Sequence, residues 1–256
     1  MMDLFAFYSN IELSRELDNA GVDGFVVDWE HLGKEDRQNL YDTQINLHTK
    51  KNLTDLRKIT QRPIICRTNA PQYLTQKELS DAMDGGADEL LIPMIRNVHE
   101  VETLLNQING KIPIGIMIET LEAIDSIRSF MELPLSRCYV GLNDLSIARK
   151  SSSIFLPLTD GFLADIRKKI TIPFGFGGLT HPKLGSPLPC EILISQMVQY
   201  QTSFTFLRRS FYRDIQNYSI PTILKEIREA LQSSTQHSSK EILDFIQKKP
   251  ASDATA

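Results

Sequence analysis

The sequence predicts an α/β protein of the (β/α)8 TIM-barrel class, and three observations support this prediction. Short apolar segments alternate with amphipathic helical segments between residues 4 and 231, as in a barrel of parallel strands. The apolar run 113–118 has no polar face, which is typical of a strand buried on both sides. Polar residues collect where the predicted strands end, and barrels carry their chemistry at that rim.

The strands are predicted from short apolar segments that are rich in β-branched or aromatic residues. They cover residues 4–8, 24–30, 63–69, 89–94, 113–120, 137–145, 173–178 and 203–207. An open doubly wound sheet is the alternative arrangement, but the sequence contains no glycine-rich dinucleotide or phosphate-binding loop to support it.

The helices are predicted from apolar residues that recur every three or four positions. They cover residues 11–20, 35–41, 53–59, 75–83, 98–108, 121–131, 162–170, 189–200 and 223–231. Ser9 or Asn10 can cap the first helix, and Gly21 can end it. The polar stretch 146–161 is the longest predicted loop, which makes it a candidate lid.

The chain is predicted to consist of a catalytic barrel domain and a short tail. The barrel covers residues 1–231, and the tail covers residues 232–256. The tail is rich in Ser, Lys and Ala and contains one amphipathic segment, 240–248. Such a composition buries little apolar surface, so the rest of the tail is predicted to be disordered.

The composition argues against several classes of protein. The chain has 256 residues and a net charge of -4, with no Lys/Arg block, so we expect no nucleic-acid partner. It has no apolar stretch long enough to cross a bilayer and no signal-peptide pattern, so we expect no membrane partner. Cys66, Cys138 and Cys190 lie far apart, which predicts reduced thiols in a cytoplasmic protein.

Two carboxylates at neighbouring strand ends predict a metal site. Glu119 closes the fifth predicted strand, and Asp144 closes the sixth. With water and substrate oxygens in the remaining positions, this pair suits Mg²⁺ or Mn²⁺. Two rim acids held in salt bridges are the alternative interpretation.

Residues at the ends of the second and third strands predict enolate chemistry. Arg67 can hold a carboxylate or a developing enolate oxygen. His31 is the natural general base, and Asp28 or Glu30 could orient it. Alternatively, Arg67 only neutralises Asp28 or Glu30, and His31 is a hydrogen-bonded rim residue. The other histidines are predicted to lie at the surface, and they are His48, His99, His181 and His237.

The last two strands end in residues that could bind an anion. Gly177 and Gly178 could admit a substrate carboxylate or phosphate close to backbone N–H groups, or they could form a tight turn. Arg208, Arg209 and Ser210 follow the eighth strand, where barrels often bind phosphate.

Five stretches together resemble the HpcH/HpaI aldolase/citrate lyase β-subunit family of metal-dependent 2-oxo acid aldolases, within the pyruvate/phosphoenolpyruvate barrel superfamily. The matching stretches are residues 21–31, 66–67, 86–93, 115–120 and 140–146. Two features differ from the usual family pattern, because Leu142 stands where a proline is common and Thr68 follows Arg67. The last third of the chain matches no branch of the family well.

The resemblance implies a carbon–carbon lyase that handles a small 2-oxo acid such as pyruvate. It implies a metal on Glu119 and Asp144, an oxyanion-stabilising Arg67 and a catalytic His31. It also implies that the backbone near Asn143 and Asp144 receives the pyruvate carboxylate. Relatives assemble through their last helices, so we expect a homo-oligomer.

Three functions are consistent with these residues. The first is an aldolase acting on a 4-hydroxy-2-oxo acid, which the pair Glu30 and His31 favours. The second is a lyase acting on a CoA thioester of the citryl or malyl type. The third is a non-catalytic barrel that retains a metal site.

Overall fold

Eight parallel strands close into a barrel in the order in which they occur in the chain. The computed structural model describes residues 2–34, 48–208 and 210–247. The strands are β1 (Asp3–Phe7), β2 (Gly24–Asp28), β3 (Ile64–Arg67), β4 (Glu89–Ile92), β5 (Ile114–Ile118), β6 (Arg137–Val140), β7 (Phe174–Leu179) and β8 (Phe204–Leu207). β8 pairs with β1 and completes the ring. The predicted (β/α)8 fold is therefore confirmed.

Helices follow the strands and cover the outside of the barrel. They are α1 (Ile11–Asn19), α2 (Lys50–Arg57), α3 (Gln76–Asp84), α4 (Val98–Ile108), α5 (Leu121–Asp125), α6 (Ile127–Phe130), α7 (Leu142–Ala148), α8 (Phe162–Arg167), α9 (Cys190–Gln199), α10 (Phe211–Asp214), α11 (Ile220–Ser233) and α12 (Ser239–Gln247). Side chains cap several of them, as Asn10 does for α1 and Thr75 does for α3. Among the described residues, no helix is long and apolar enough to cross a membrane.

Side chains alternate along the strands between an outer and an inner core, because successive residues of a strand point to opposite faces. The outer core joins the strands to the helices and includes Leu4, Ala6, Phe25 and Val27. The inner core fills the barrel and consists of Phe5, Phe7, Val26, Ile65, Leu91, Met117, Tyr139, Phe204 and Phe206. The next inward positions at the C-terminal ends are occupied by Asp28, Arg67, Glu119 and Arg208.

The sixth strand is shorter than predicted. It ends at Val140, and Leu142–Ala148 forms a helix instead of the predicted strand end. Asp144 therefore lies in the first turn of α7 and not on a strand. The apolar residues Leu142 and Leu145 fit one buried face of this helix as well as they fit a strand, so the short pattern is ambiguous.

Three other elements differ from the prediction. The predicted helix 121–131 is divided at Ser126, whose φ of -93° and ψ of 0° end α5 before α6 begins. The predicted loop 146–161 contains the end of α7 and a 3₁₀ turn at Leu156–Leu158. Helix α10 was not predicted. The helix predicted at 35–41 lies outside the described residues.

Candidate active site

A cavity of about 390 Å³ opens at the C-terminal ends of the strands. Its floor is apolar, since Phe7, Met117, Tyr139 and Phe206 belong to the inner core. Polar side chains line its wall, and they are Lys34, Arg67, Glu119, Asn143, Asp144, Arg208, Ser210 and Arg213. We call this cavity the rim pocket.

A larger cavity, of about 810 Å³, opens at the opposite end of the barrel. Its wall includes Met2, Met197 and Phe204, and its half-buried arginine, Arg137, is already paired with Glu89. Active sites of barrel enzymes lie at the C-terminal face. The rim pocket is therefore the better candidate despite its smaller volume.

Arg67 is held in a fixed orientation by Asp28. Its Nε and Nη2 donate to the two carboxylate oxygens of Asp28 at 2.8 and 2.7 Å. Its Nη1 lies 3.4 Å from Oε2 of Glu30. Burial opposes the charge of Arg67, but Asp28 and Glu30 raise the pKa of its guanidinium group. Arg67 is therefore a buried cation on the pocket wall with an ordered bidentate partner.

Lys34 belongs to the same buried network, although the sequence analysis did not select it. Its Nζ lies 2.5 Å from Oε2 of Glu30, and the residue is only 1% exposed. Burial alone would raise the pKa of Glu30, but Arg67 and Lys34 lower it. Lysine is rarely buried unless it is paired. The one feature of the sequence that points to this pairing is that Lys34 follows two acids, Asp28 and Glu30, at a strand end.

Glu119 reaches the pocket from the end of β5 and is almost completely buried. Its Oε2 accepts the backbone N–H of Met94 at 3.0 Å. Burial, with the nearby charges of Asp144 and Glu30, raises the pKa of Glu119 to about 8. Two acids in this position repel one another when both are ionised.

Glu119 and Asp144 have the carboxylate chemistry of ligands for a divalent cation, and a metal site on this pair stays a prediction. Burial and, after it, repulsion by Asp144 raise the pKa of Glu119, and a cation between the two acids would remove that repulsion. Within the described ranges, no group of three His, Cys, Asp or Glu side chains is placed to share a metal ion. The remaining ligands would therefore be water, substrate or backbone oxygens, which is the usual case for Mg²⁺.

Asn143 and Asp144 occupy the start of α7. Asp144 is buried and lines the rim pocket together with Asn143. The backbone carbonyl of Asn143 accepts a hydrogen bond from Ser146 at 2.7 Å. Binding of the pyruvate carboxylate by the backbone near Asn143 and Asp144 stays a prediction.

The structure does not bring His31 into the rim pocket. The exposed His31 lines a separate depression that also includes Trp29 and Asn69. Its Nδ1 is 2.8 Å from the carbonyl oxygen of Trp29, and its backbone N–H donates to Asn69. Asp28 and Glu30 contact the cations described above, so neither is shown to orient His31. The catalytic role of His31 therefore stays a prediction.

His181 is buried, and the prediction that it lies at the surface is wrong. It is 3% exposed, and its Nε2 lies 3.2 Å from Oε2 of Glu226. Its Nδ1 accepts the backbone N–H of Lys183, and its ring lies 4.6 Å from that of Tyr218. These contacts hold the segment that follows β7, and they give His181 a structural role.

Gly177 and Gly178 form an irregularity at the end of β7. The pairing register with β8 shifts between Gly175 and Gly178, and Gly177 has a φ of +68°. The carbonyl of Gly177 accepts a hydrogen bond from Tyr139. The pair therefore forms a bulge that lines the rim pocket, and direct binding of substrate there stays a prediction.

Comparison with known proteins finds solved structures that share the barrel. No protein-family model matches the chain, and no curated protein matches it. A structure described as an HpcH/HpaI aldolase/citrate lyase family protein from Burkholderia cenocepacia has a TM-score of 0.62 and 13% sequence identity, over 90% of this chain and 94% of that one. The fold is that of an HpcH/HpaI aldolase/citrate lyase structure. The predicted resemblance is confirmed at this level.

Two further structures support the same relationship. RipC from Yersinia pestis has a TM-score of 0.57 and 13% identity, covering 94% of this chain and 98% of its own. A citrate lyase from Burkholderia xenovorans has a TM-score of 0.58 and 10% identity, covering 96% of this chain and 90% of its own. At such identities the HpcH/HpaI likeness concerns the fold alone.

Proposed function

We propose that the protein is a divalent-metal-dependent carbon–carbon lyase that cleaves or forms a 4-hydroxy-2-oxo acid through a pyruvate-type enolate. The observation that carries the proposal is the rim pocket, in which Arg67 lies with Glu119 and Asp144. An oriented cation in one pocket with two carboxylates that could hold a metal ion is an arrangement that can stabilise an enolate. The fold shared with HpcH/HpaI aldolase/citrate lyase structures supports the same class of reaction.

In the cleavage direction, the bond between the third and fourth carbons breaks, and its electron pair stays on the third carbon as the enolate. The 4-hydroxyl group loses its proton and becomes the aldehyde carbonyl, and the third carbon later accepts a proton. Arg67 stabilises the negative charge on the enolate oxygen, and Asp28 prevents its guanidinium group from turning away. A divalent cation on Glu119 and Asp144 would supply Lewis-acid stabilisation of the same charge.

The proton of the 4-hydroxyl group needs an acceptor. His31 is the predicted base, but it would have to move into the rim pocket to act. Glu30 and Lys34 already share a buried contact beside Arg67. The apolar floor of the rim pocket would limit contact between the enolate and bulk water.

The test is the exchange of the methyl protons of pyruvate for deuterium, followed by NMR with Mg²⁺, with Mn²⁺ and with a chelator. This assay detects enolate formation and does not require the aldehyde to be known. We expect metal-dependent exchange in the unmodified protein and its loss in Arg67→Ala and Glu119→Gln. Glu122→Gln is the matched control, because Glu122 is an exposed acid on the neighbouring helix. Undiminished exchange in Glu119→Gln would contradict the proposal.

A CoA-thioester lyase of the citryl or malyl type is the second candidate. One observation favours it, because His31, which distinguishes the aldolase branch by resemblance, does not line the rim pocket. A citrate lyase is also among the structural neighbours. Metal-dependent cleavage of malyl-CoA or citryl-CoA, without aldol activity on pyruvate, would select this candidate.

We also propose that the protein is cytoplasmic and forms a homo-oligomer through its last helices. Helix α12 supports the oligomer, because its apolar residues Phe245 and Ile246 are only partly buried within the protomer. Light scattering after size-exclusion chromatography measures the mass in solution. A monomeric mass at micromolar concentration would contradict the oligomer.

A further inference from the structure

Proton transfer at the 4-oxygen of the substrate needs a titratable group inside the rim pocket. His31 is exposed and lines a different depression, where its Nδ1 lies 2.8 Å from the carbonyl oxygen of Trp29. The described residues of the rim pocket that carry titratable side chains are Lys34, Arg67, Glu119, Tyr139, Asp144, Arg208 and Arg213. Within the described part of the chain, the proton-transfer group therefore belongs to this set.

Lys34 is the member of this set that suits proton transfer best. The arginines cannot be deprotonated in a protein. Glu119 and Asp144 are the predicted metal ligands, and the hydroxyl group of Tyr139 already donates to the carbonyl of Gly177. A lysine side chain can donate a proton as an ammonium group and accept one as an amine.

The turn after β2 brings Lys34 to the pocket. Gly33 has a φ of +70°, a conformation that glycine adopts more readily than other residues. The backbone N–H of Lys34 donates to the carbonyl of His31 at 3.1 Å. The chain thus turns back on itself, and Lys34 lines the rim pocket although it lies beyond the end of the strand.

Glu30 fixes the side chain of Lys34. The Nζ atom of Lys34 lies 2.5 Å from Oε2 of Glu30, and each of the two side chains is only 2% exposed. Burial opposes the charge of Glu30, but Arg67 and Lys34 together keep its pKa below the usual value. Glu30 is therefore ionised, and it holds Lys34 as an ammonium group in one orientation.

Lys34 and Arg67 lie side by side because they share this carboxylate. Nη1 of Arg67 is 3.4 Å from the same Oε2 atom of Glu30 that contacts Lys34. In the proposed reaction, Arg67 stabilises the enolate oxygen on the second carbon of the substrate. The fourth carbon is only two bonds away from the second, so a group beside Arg67 is close to the 4-oxygen as well.

We propose that Lys34 is the catalytic residue that exchanges a proton with the 4-oxygen of the substrate. This inference rests on the proposed aldolase function, and it names a group that this function needs. It gives Lys34 the task that the sequence analysis predicts for His31. Glu30 is a positioning residue, because it acts by holding Lys34.

The proton transfer balances in both directions of the reaction. In addition, the third carbon of the enolate attacks the aldehyde carbon, the π electrons of the carbonyl move to its oxygen, and Nζ of Lys34 gives that oxygen a proton. In cleavage, the neutral amine takes the proton of the 4-hydroxyl group as the bond between the third and fourth carbons breaks. After either reaction, exchange with water restores the starting protonation of Nζ.

The test separates proton transfer at the 4-oxygen from formation of the enolate. Two rates are measured with Mg²⁺, which are exchange of the methyl protons of pyruvate and addition of pyruvate to acetaldehyde or glyoxylate. In Lys34→Gln, we expect exchange to continue, because no 4-oxygen takes part in it. We expect kcat for addition to fall by about 100-fold or more, the usual contribution of general acid–base catalysis.

Two further variants keep this test specific. Lys34→Arg keeps a buried cation next to Glu30, but its guanidinium group cannot be deprotonated, so we expect the same loss of addition with an unchanged midpoint of thermal unfolding. Lys51→Gln is the matched control. Lys51 also pairs with an acid four residues away, Asp55, but its side chain is 83% exposed and does not line the rim pocket, so both rates should equal those of the unmodified protein.

The outcomes distinguish this inference from the proposed function. Addition at the unmodified rate in Lys34→Gln or Lys34→Arg would overturn the inference. Equal losses of exchange and addition in both variants would show that Lys34 only supports the pocket structure, and would overturn it as well. Exchange without addition to either aldehyde in the unmodified protein would retain the enolate chemistry and remove the role of Lys34. Absence of exchange in the unmodified protein would contradict the proposed function itself.

Discussion

Glu119 is a single carboxyl group whose titration should be visible in the stability of the metal-free protein. Its pKa is raised from 4.5 to about 8 in the folded state, mainly by burial and by Asp144. The folded protein therefore binds this proton more tightly than the unfolded chain does. The stabilising contribution of protonated Glu119 is complete below pH 4.5 and is lost as the pH rises to about 8.

We therefore expect the midpoint of thermal unfolding, measured with a chelator, to fall between pH 5 and pH 8 more steeply for the unmodified protein than for Glu119→Gln. Mg²⁺ or Mn²⁺ should reduce the loss, because a bound cation favours the ionised carboxylate. Equal slopes for the two proteins would show that Glu119 titrates normally in the folded state.

The alternation of side chains explains which site residues could be selected from the sequence. Arg67 and Glu119 follow the inward residues Ile65 and Met117 by two positions, and both line the rim pocket. His31 follows the outward residue Trp29 by two positions, and it lies in a different depression. Every second residue after an inner-core residue faces inward, and this rule distinguishes Arg67 and Glu119 from His31. A choice based only on the chemical type of the side chain does not distinguish them.

The positions of Lys34 and His181 cannot be predicted from the alternation of side chains along a strand. Lys34 lies beyond the end of β2, so no strand period relates it to the pocket that it lines. His181 is buried through contacts with Glu226 and Tyr218, which are far away in the chain. Both placements depend on tertiary contacts, and a single sequence contains no direct record of them.

At the scale of elements, the junction between β6 and α7 should control the position of the metal ligands. Gly141 precedes α7, and a Cβ added there would lie 2.2 Å from Oε1 of Glu119. Gly141→Ala should therefore displace the Glu119 carboxylate while leaving both acids in the sequence. We expect Mn²⁺ affinity, measured by electron paramagnetic resonance, to fall by about tenfold, within the range for disturbed ligand support.

Gly110→Ala provides the control for this variant. Gly110 has a φ of +70°, and a Cβ added there would meet no atom within 4 Å. Alanine at this position should cost about 1 kcal/mol of stability through backbone strain alone and leave Mn²⁺ affinity unchanged. An unchanged Mn²⁺ affinity in Gly141→Ala would show that the carboxylate of Glu119 does not lie against Gly141 in solution.

The same junction illustrates how far local patterns predict elements. All eight strands were predicted, because their apolar runs are bounded by polar turns. The end of β6 was misplaced because Leu142 and Leu145 also fit a helix, and α7 carries Asp144 one turn beyond the strand. The carboxylate still reaches the rim pocket, so the candidate metal site does not depend on the assignment of secondary structure.

At the scale of the whole molecule, the C-terminal helix supports the wall of the rim pocket. Helix α12 packs against the 3₁₀ turn Leu156–Leu158, and Ile242 is its buried contact residue. Ile154 and Phe155, directly before that turn, line the rim pocket. The segment predicted to be a lid is thus held from outside by the last described helix.

Ile242→Ala should loosen this wall. Truncation of a buried isoleucine costs about 2–5 kcal/mol, and a single peripheral helix is expected to detach locally before the barrel unfolds. We therefore expect faster amide hydrogen exchange in residues 148–161 as well as in α12, with little change in the barrel strands. Lys240→Ala is the control, because Lys240 is exposed on the same helix. Faster exchange confined to α12 would show that residues 148–161 keep their structure without this helix. The tail would then have no part in shaping the rim pocket.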